Sequence, residues 1–347
     1  MADWFDESLL DDEEALARAD LVLRPMAEAG SRVRHEAAQV EDAIAAAVAV
    51  TKDNPPRAVI AAGPDSRLLR AVLEPSCPVP FVAWPHPGLP GWAGALDLVV
   101  VLAPDGSDTG SASAVAEAVR RGCQIVVACP PESLVGEHAA GRHTTVLPTT
   151  SRDQLAIAVV MLEFLCQVGL GPQTDAEEVA TALDDVAVSC SPYRDLSVNQ
   201  AKMLAISLAD VTPLVWGGSV LAARSARRVA ESMRRASGRT ALAGDAEHLL
   251  PVIAATPLHD VFEDPFADSG DDPAELRPAL VILDDGSDDP SVREQRGRLV
   301  TEAEGRRIRV EQLSSSAPGE LACYASLLHQ GRYAAAYLGI GLHRPGS

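Results

Sequence analysis

The chain is poor in aromatic residues, nearly devoid of lysine, and without a long apolar run. Aromatics make up 4% of the residues while hydrophobic types make up 47%, so the core must be built from Ala, Val, Leu and Ile. Such a core suits helices packed on a parallel sheet, whose strands are short Val/Ile/Leu runs buried on both faces. No apolar stretch reaches the roughly 18 residues that a membrane span needs. The segment Met1–Asp12 is acidic and lacks the basic and apolar regions of a signal peptide. The six cysteines show neither CxxC nor zinc-ligand spacing, which predicts small buried hydrophobes in a reducing, cytoplasmic compartment and no metal site. Lys52 and Lys202 are the only lysines; the other basic residues are Arg. With 29 basic and 49 acidic residues the formal charge is −20, which repels phosphate backbones and anionic lipids, so neither nucleic acid nor membrane is expected as a partner.

What is present is an alternating pattern. Helical spacing covers 12–49, with a break expected near Pro25–Ser31. Short apolar runs follow at Arg57–Ala62, Val79–Ala83, Asp97–Ala103, Cys123–Cys129 and Thr144–Leu147, each bounded by Gly, Pro or Asp. Ser111–Arg121 reads as a helix between two of them, and Ser151–Val168 as a long apolar helix ended by Gly169 and Gly171. A polar stretch, 172–198, reads as a connection. The second half repeats the outline: helix Asn199–Leu208, strand Pro213–Trp216, a helix from Gly217-Gly218-Ser219 to Ser237, strands Thr240–Leu242 and Ala279–Leu283, helix Ser291–Glu304, strand Ile308–Leu313, and a final helix Gly319–Leu342. Strands alternating with helices give the α/β class, with parallel sheets. Phe262–Pro273, rich in Asp and Pro, reads as a loop.

Three strand-to-helix turns carry glycine: Ala62-Gly63-Pro64-Asp65-Ser66, Asp105-Gly106-Ser107-Asp108-Thr109-Gly110, and Gly217-Gly218-Ser219. In parallel sheets such turns lie at the carboxyl edge, where ligands bind and helix N-termini offer free N–H groups to anions. By chemistry the third is the best anion site, because Arg224, Arg227 and Arg228 follow it; the alternative is that these arginines solvate a helix face. In the second turn Asp105 and Asp108 would repel a phosphate, while Ser107 and Thr109 can donate; Asp108 is equally an N-cap. His248, near Asp245 and Glu247, and His259, before Asp260, are candidate acids or bases, as any His with a carboxylate neighbour is. No HExxH, P-loop, GxSxG or GxGxxG pattern occurs.

Four stretches taken in order resemble the bifunctional phosphoglucose/phosphomannose isomerase family, whose members carry two SIS (sugar isomerase) domains. They are Phe5–Asp11, Leu98–Gly122, Asn199-Gln200-Ala201-Lys202, and Ser326–His329 continuing through Tyr333 to Tyr337-Leu338-Gly339. The resemblance implies two flavodoxin-like SIS domains, each a parallel sheet flanked by helices. It divides the chain into N-terminal helices (1–50, part of the first domain or a dimer contact), a first SIS domain (51–171), a connection (172–198) and a second SIS domain (199–347). It implies a sugar or sugar phosphate bound at the first carboxyl edge by Gly63, Ser66, Asp105, Gly106, Ser107, Asp108 and Thr109, with Gly218 and Ser219 as further ligand-binding candidates. It also implies aldose–ketose isomerisation without cofactor or metal, and a homodimer.

The catalytic motifs of that family are altered here. Arg152 matches its arginine after the fifth strand. Its basic Glu falls on Arg234 or Arg235, leaving Glu231 about one turn away, and His248 is nearest to its ring-opening His. Three readings stay open: an isomerase using Arg152, Glu231 and His248; a non-catalytic, sugar-sensing or partner-regulating SIS protein; and a binder of neutral sugars, whose hydroxyls would suit Asp105 and Asp108.

Overall fold

The short aliphatic runs become two parallel sheets, each wrapped by helices, in a computed structural model that describes residues 4–258 and 276–344. A 3₁₀ turn (Glu7–Leu10) and helices α1 (Glu13–Arg18), α2 (Asp20–Ala27) and α3 (Ala29–Asp53) open the chain. The first sheet follows as β1 (Val59–Ala62), α4 (Ser66–Leu73), β2 (Phe81–Trp84), β3 (Leu98–Leu102), α5 (Thr109–Arg121), β4 (Gln124–Cys129), α6 (Leu134–His138), β5 (Thr144–Pro148) and α7 (Gln154–Gln167). After α8 (Ala176–Ser189) and α9 (Gln200–Ser207) comes the second sheet: β6 (Thr212–Gly217), α10 (Val220–Ser237), β7 (Leu242–Ala243), α11 (Ala246–Ala255), β8 (Pro278–Asp284), α12 (Pro290–Gly305), β9 (Arg309–Ser314) and α13 (Glu320–Gly341).

The strand orders are β2-β1-β3-β4-β5 and β7-β6-β8-β9, all parallel. Both place the first strand of the half inside the second, so the chain reverses its winding between β1 and β3 and again between β6 and β8. That reversal is the flavodoxin-type switch point, where the loops leaving neighbouring strands diverge and a crevice opens. β1, β3 and nearly all of β4 are fully buried, as continuous aliphatic strands covered on both faces must be.

The chain forms two compact units, Ala29–Thr181 and a discontinuous one made of residues 1–28 with Ala182–Ser347. In the N-terminal segment two breaks occur, at Ala19 and Glu28, rather than one, and Pro25 lies inside α2. The polar stretch 172–198 holds α8, an amphipathic helix with Val179, Leu183 and Val186 buried. The helices α4, α6 and α11 lacked a legible signal because they are short or carry proline. Phe262–Pro273, His259 and Asp260 lie outside the described residues.

Within the discontinuous unit the Asn199–Lys202 motif has a definite job. Asn199 caps α9, its Oδ1 accepting from the Ala201 and Lys202 amides at 3.1 Å each, while its Nδ2 donates to the Ser191 carbonyl. Lys202 is wholly buried. Its Nζ donates to Asp11 (2.6 Å) and to the carbonyls of Pro192 (2.8 Å) and Arg194 (3.0 Å), and sits 5.7 Å from the Tyr337 ring centre. Tyr337 donates to the Cys190 carbonyl. One ammonium thus joins the N-terminal turn, the 190–199 segment and α13. Phe5 packs on Gly341, where a Cβ would lie 2.2 Å from its ring, so that turn and the final helix can meet only at a glycine. Replacing Lys202 by Met strands two carbonyls, and we expect a loss of about 2–4 kcal/mol from unmet buried acceptors, read as a lowered urea midpoint. An unchanged midpoint would show that the ammonium holds nothing.

Candidate functional site at the carboxyl edge of the first sheet

The first crevice is built from three loops. The turn after β1 passes through Gly63 at φ +90°, a left-handed value that an L side chain resists, and a Cβ there would lie 2.6 Å from the Ser111 Oγ. Ser66 begins α4 and Ser111 stands in the first turn of α5. Both serines are 1% exposed, and neither Oγ has a hydrogen-bond partner. The turn after β3 uses Gly106 at φ +63°, packed so closely that a Cβ would strike Ser133. Asp108 caps α5, accepting from the Ser111 amide at 2.6 Å. Asp105, Ser107, Asp108 and Thr109 are exposed.

The third loop, between β5 and α7, closes the arrangement. The Gln154 Nε2 donates to the Asp65 carboxylate at 2.5 Å, joining this loop to the turn after β1. Arg152 reaches Asp105 at 3.2 Å, joining it to the turn after β3. The loop is itself held from α3. Glu36, with no exposed surface, accepts from the Thr150 amide (3.1 and 3.2 Å), the Thr150 hydroxyl (3.1 Å) and the Ser151 amide (2.5 Å). Arg32 pairs with Asp153 at 2.7 Å, and Asp153 caps α7 by accepting from the Leu155 amide. Thr149, also buried, leaves its Oγ1 without a partner.

The expected residues therefore separate. Gly63, Ser66, Asp105, Gly106 and Arg152 come together at this edge, with Ser107, Asp108 and Thr109 along its rim. Two carboxylates at this edge oppose an anion less than their count suggests, because each has a partner. Arg152 lies against Asp105, and Asp108 spends its charge on a helix N-terminus. Ser111, Thr149, Gln154, Asp65 and Glu36 were not expected. Ser111 sat in the recognised strand–turn–helix stretch but looked like filler in a small-residue helix, and nothing marks Glu36 out in an Arg/Glu-rich helix.

The second sheet's edge is arranged differently. Ser219 caps α10, accepting from the Ala222 amide at 3.0 Å, and donates its hydroxyl to Asp285. A Cβ at Gly217 would meet the Ala222 backbone at 2.3 Å, and one at Gly218 would meet Val292 at 2.2 Å, so both glycines serve close packing. The carboxylate of Asp285 thus takes the hydroxyl that a phosphate would need. Glu231 lies on α10 between Arg228 (2.7 Å) and Arg235 (2.5 Å). His248 is 79% exposed and 3.9 Å from Asp245, which in turn is 3.7 Å from Arg227. Glu231 and His248 each have their own partners, and no hydrogen bond or ion pair between them occurs. Among the described residues no group of three or more His, Cys, Asp or Glu could hold a metal, and no helix is long and apolar enough to cross a membrane.

Comparison with known proteins bears on both units. Residues 197–343 match the family described as the bacterial phospho-glucose isomerase C-terminal SIS domain. Among solved structures, the chain is similar to a tagatose-6-phosphate ketose/aldose isomerase from Escherichia coli at 12% identity, covering 94% of this chain and 93% of that one with a TM-score of 0.64. It is similar to the C-terminal domain of a glucosamine-fructose-6-phosphate aminotransferase from Francisella tularensis at 10% identity (90% and 96% covered, TM-score 0.58). A glucose-6-phosphate isomerase like protein from Thermus thermophilus matches at 17% identity (83% and 81% covered, TM-score 0.50). No curated protein sequence matches the chain. At these identities the likeness shows the fold: two parallel α/β halves of the SIS type.

A buried hydroxyl with no partner costs stability in the empty protein. Ser111→Ala and Thr149→Val should each raise stability by about 1 kcal/mol, the order of the penalty for an unmet polar group. Urea unfolding would show a higher midpoint at unchanged slope. A fall of similar size would mean that the hydroxyl is already bonded.

Proposed function

We propose that this chain is a diverged relative of the two-SIS-domain phosphoglucose/phosphomannose isomerases that binds a sugar phosphate at the first carboxyl edge without isomerising it. The observation that carries the reading is the pair of buried, unpartnered hydroxyls, Ser66 and Ser111, at the starts of the helices that follow β1 and β3, with Arg152 held to Asp105 in the turn after β3. Two donors at the starts of α4 and α5, with a guanidinium on the loop after β5 at the same sheet edge, suit the oxygens of a phosphorylated polyol. The rim residues Asp105, Ser107, Asp108 and Thr109 are suited to accept from or donate to sugar hydroxyls. Isomerisation needs more: a carboxylate free to take a proton between C1 and C2, and an acid to open the ring. Glu231 is ion-paired with two arginines and His248 stands exposed on α11, so neither is poised for that work.

Calorimetry against fructose 6-phosphate, mannose 6-phosphate and the neutral sugars tests the proposal. Binding of a phosphorylated sugar, weakened at least tenfold by Ser111→Ala and Arg152→Ala with no turnover in a coupled assay, is the expected result. Turnover of fructose 6-phosphate that Arg152→Ala abolishes would overturn the non-catalytic reading. Binding of a neutral sugar alone would move the ligand to the unphosphorylated class.

The same proposal includes a homodimer and a cytoplasmic setting. Ala38, Ala45, Ala46 and Ala49 lie exposed along α3 and supply a small-residue face for helix contact. Light scattering at micromolar concentration should give twice the chain mass, and a monomer mass would remove the dimer.

A further inference from the structure

The discontinuous unit holds a cation that the sugar-binding reading does not use. Helix α10 carries Arg224, Arg227, Arg228, Arg234 and Arg235 against one acid, Glu231, in a chain whose net charge is −20. Four of these arginines are engaged. Arg228 and Arg235 hold Glu231, Arg234 donates to the Ala241 carbonyl, and Arg227 leans on Asp245 at 3.7 Å. Arg224 differs. Among the described residues no carboxylate pairs with it, and its Nε is shut off from solvent without a hydrogen-bond partner. Burial pushes its pKa down from the ordinary guanidinium value; the Tyr324 phenol on α13 opposes that shift, and Arg228 and Arg227 add to it.

The setting is rigid. The Ser225 hydroxyl donates to the Tyr324 carbonyl at 3.3 Å, and farther along the pair a Cβ on Gly331 of α13 would lie 2.3 Å from Val229 of α10. The two helices are thus locked in close contact along the turns that follow Arg224. Positions 224, 227 and 228 share one face of α10, since residues three and four apart stack on a helix. A half-buried guanidinium next to two like charges, whose hydrogen bond goes to the Tyr324 phenol rather than to a carboxylate, is short of one negative charge.

We propose that the α10–α13 face around Arg224 and Tyr324 binds a small oxyanion, a phosphate or the phosphoryl group of a small metabolite. Arg224 supplies the half-buried charge, Arg227 the exposed outer one, and Tyr324 a hydroxyl beside Arg224. This site stands apart from the Gly217–Ser219 turn, whose hydroxyl is taken by Asp285, and it does not depend on the sugar reading of the first sheet.

The test is thermal unfolding of the full chain at constant ionic strength, with sodium chloride, inorganic phosphate, fructose 6-phosphate or fructose. Phosphate should raise Tm saturably and beyond the chloride control. Arg224→Met should raise Tm without ligand, because an uncompensated charge is gone, and should abolish the phosphate-dependent rise. Ser111→Ala should keep that rise, so this site and the first-sheet site fail or survive separately. A rise with fructose 6-phosphate but not with free phosphate, lost in Arg224→Met and kept in Ser111→Ala, supports the site with a phosphorylated metabolite as its ligand. A phosphate effect equal to that of chloride, one retained in Arg224→Met, or a lower ligand-free Tm for that variant would overturn the proposal. If Arg224→Met does not fold, the exposed Arg227→Gln decides: a severalfold weaker phosphate response supports the site, and an unchanged one overturns it.

Discussion

The Glu36 carboxylate is the constraint on which the first crevice depends. It lies out of water and remains tolerable there because two amides and a hydroxyl of the β5–α7 loop point at it. The bond works in both directions. The loop satisfies the carboxylate, and the carboxylate fixes the loop, which would otherwise be a surface connection with its amides turned to solvent. Fixing the loop brings Gln154 to Asp65 and Arg152 to Asp105. Helix α3 therefore acts on the site through position rather than through contact with a ligand.

This clamp changes how the charges of the edge count. Read as separate residues, Asp105 and Asp108 argue against an anionic ligand. In the structure one carboxylate faces a guanidinium and the other caps a helix, where the aligned peptide dipoles favour negative charge. The Asp108 cap is local and legible, but the Arg152–Asp105 pair joins residues far apart in the chain, so no window of sequence around Gly106 could have displayed it. The opposite happened at Gly217-Gly218-Ser219. There the local chemistry looked right for an anion, and the acid that takes its hydroxyl arrives from the loop after β8.

The fold was legible because it depends on repeated, local signals. The inner strands β1, β3, β4 and β8 are aliphatic and continuous because they are buried, and the nine strand runs have ends within about two residues of the observed ones. The Asn199–Lys202 motif was legible too, for a structural reason: the asparagine caps a helix and the lysine collects three oxygens from segments far apart in the chain. The site was legible only in part. Glycines at positive φ mark the turns, so Gly63 and Gly106 could be found. Ser111 and Thr149 matter because they lack partners, and Glu36 matters because it has three. Partnership is a property of the folded chain, and a serine in an alanine-rich helix shows none of it beforehand.

The two halves share a winding order and differ in what they place at its reversal. At the first edge there are unpaired hydroxyls, with a guanidinium held by a loop. At the second there are aspartates that have already found serine, arginine and glutamine partners. A site that has satisfied its own polar groups gains little from a ligand, whereas one that has not gains each hydrogen bond it was missing. By that criterion the first edge has more to gain from a ligand than the second. The charge left over in the discontinuous unit lies one turn along α10, at Arg224, where packing against α13 has buried a guanidinium without supplying its counter-charge. Duplicated α/β halves thus need not keep duplicated sites: the same sheet order offers the same crevice, and the residues that fill or leave open its hydrogen bonds decide which crevice is used.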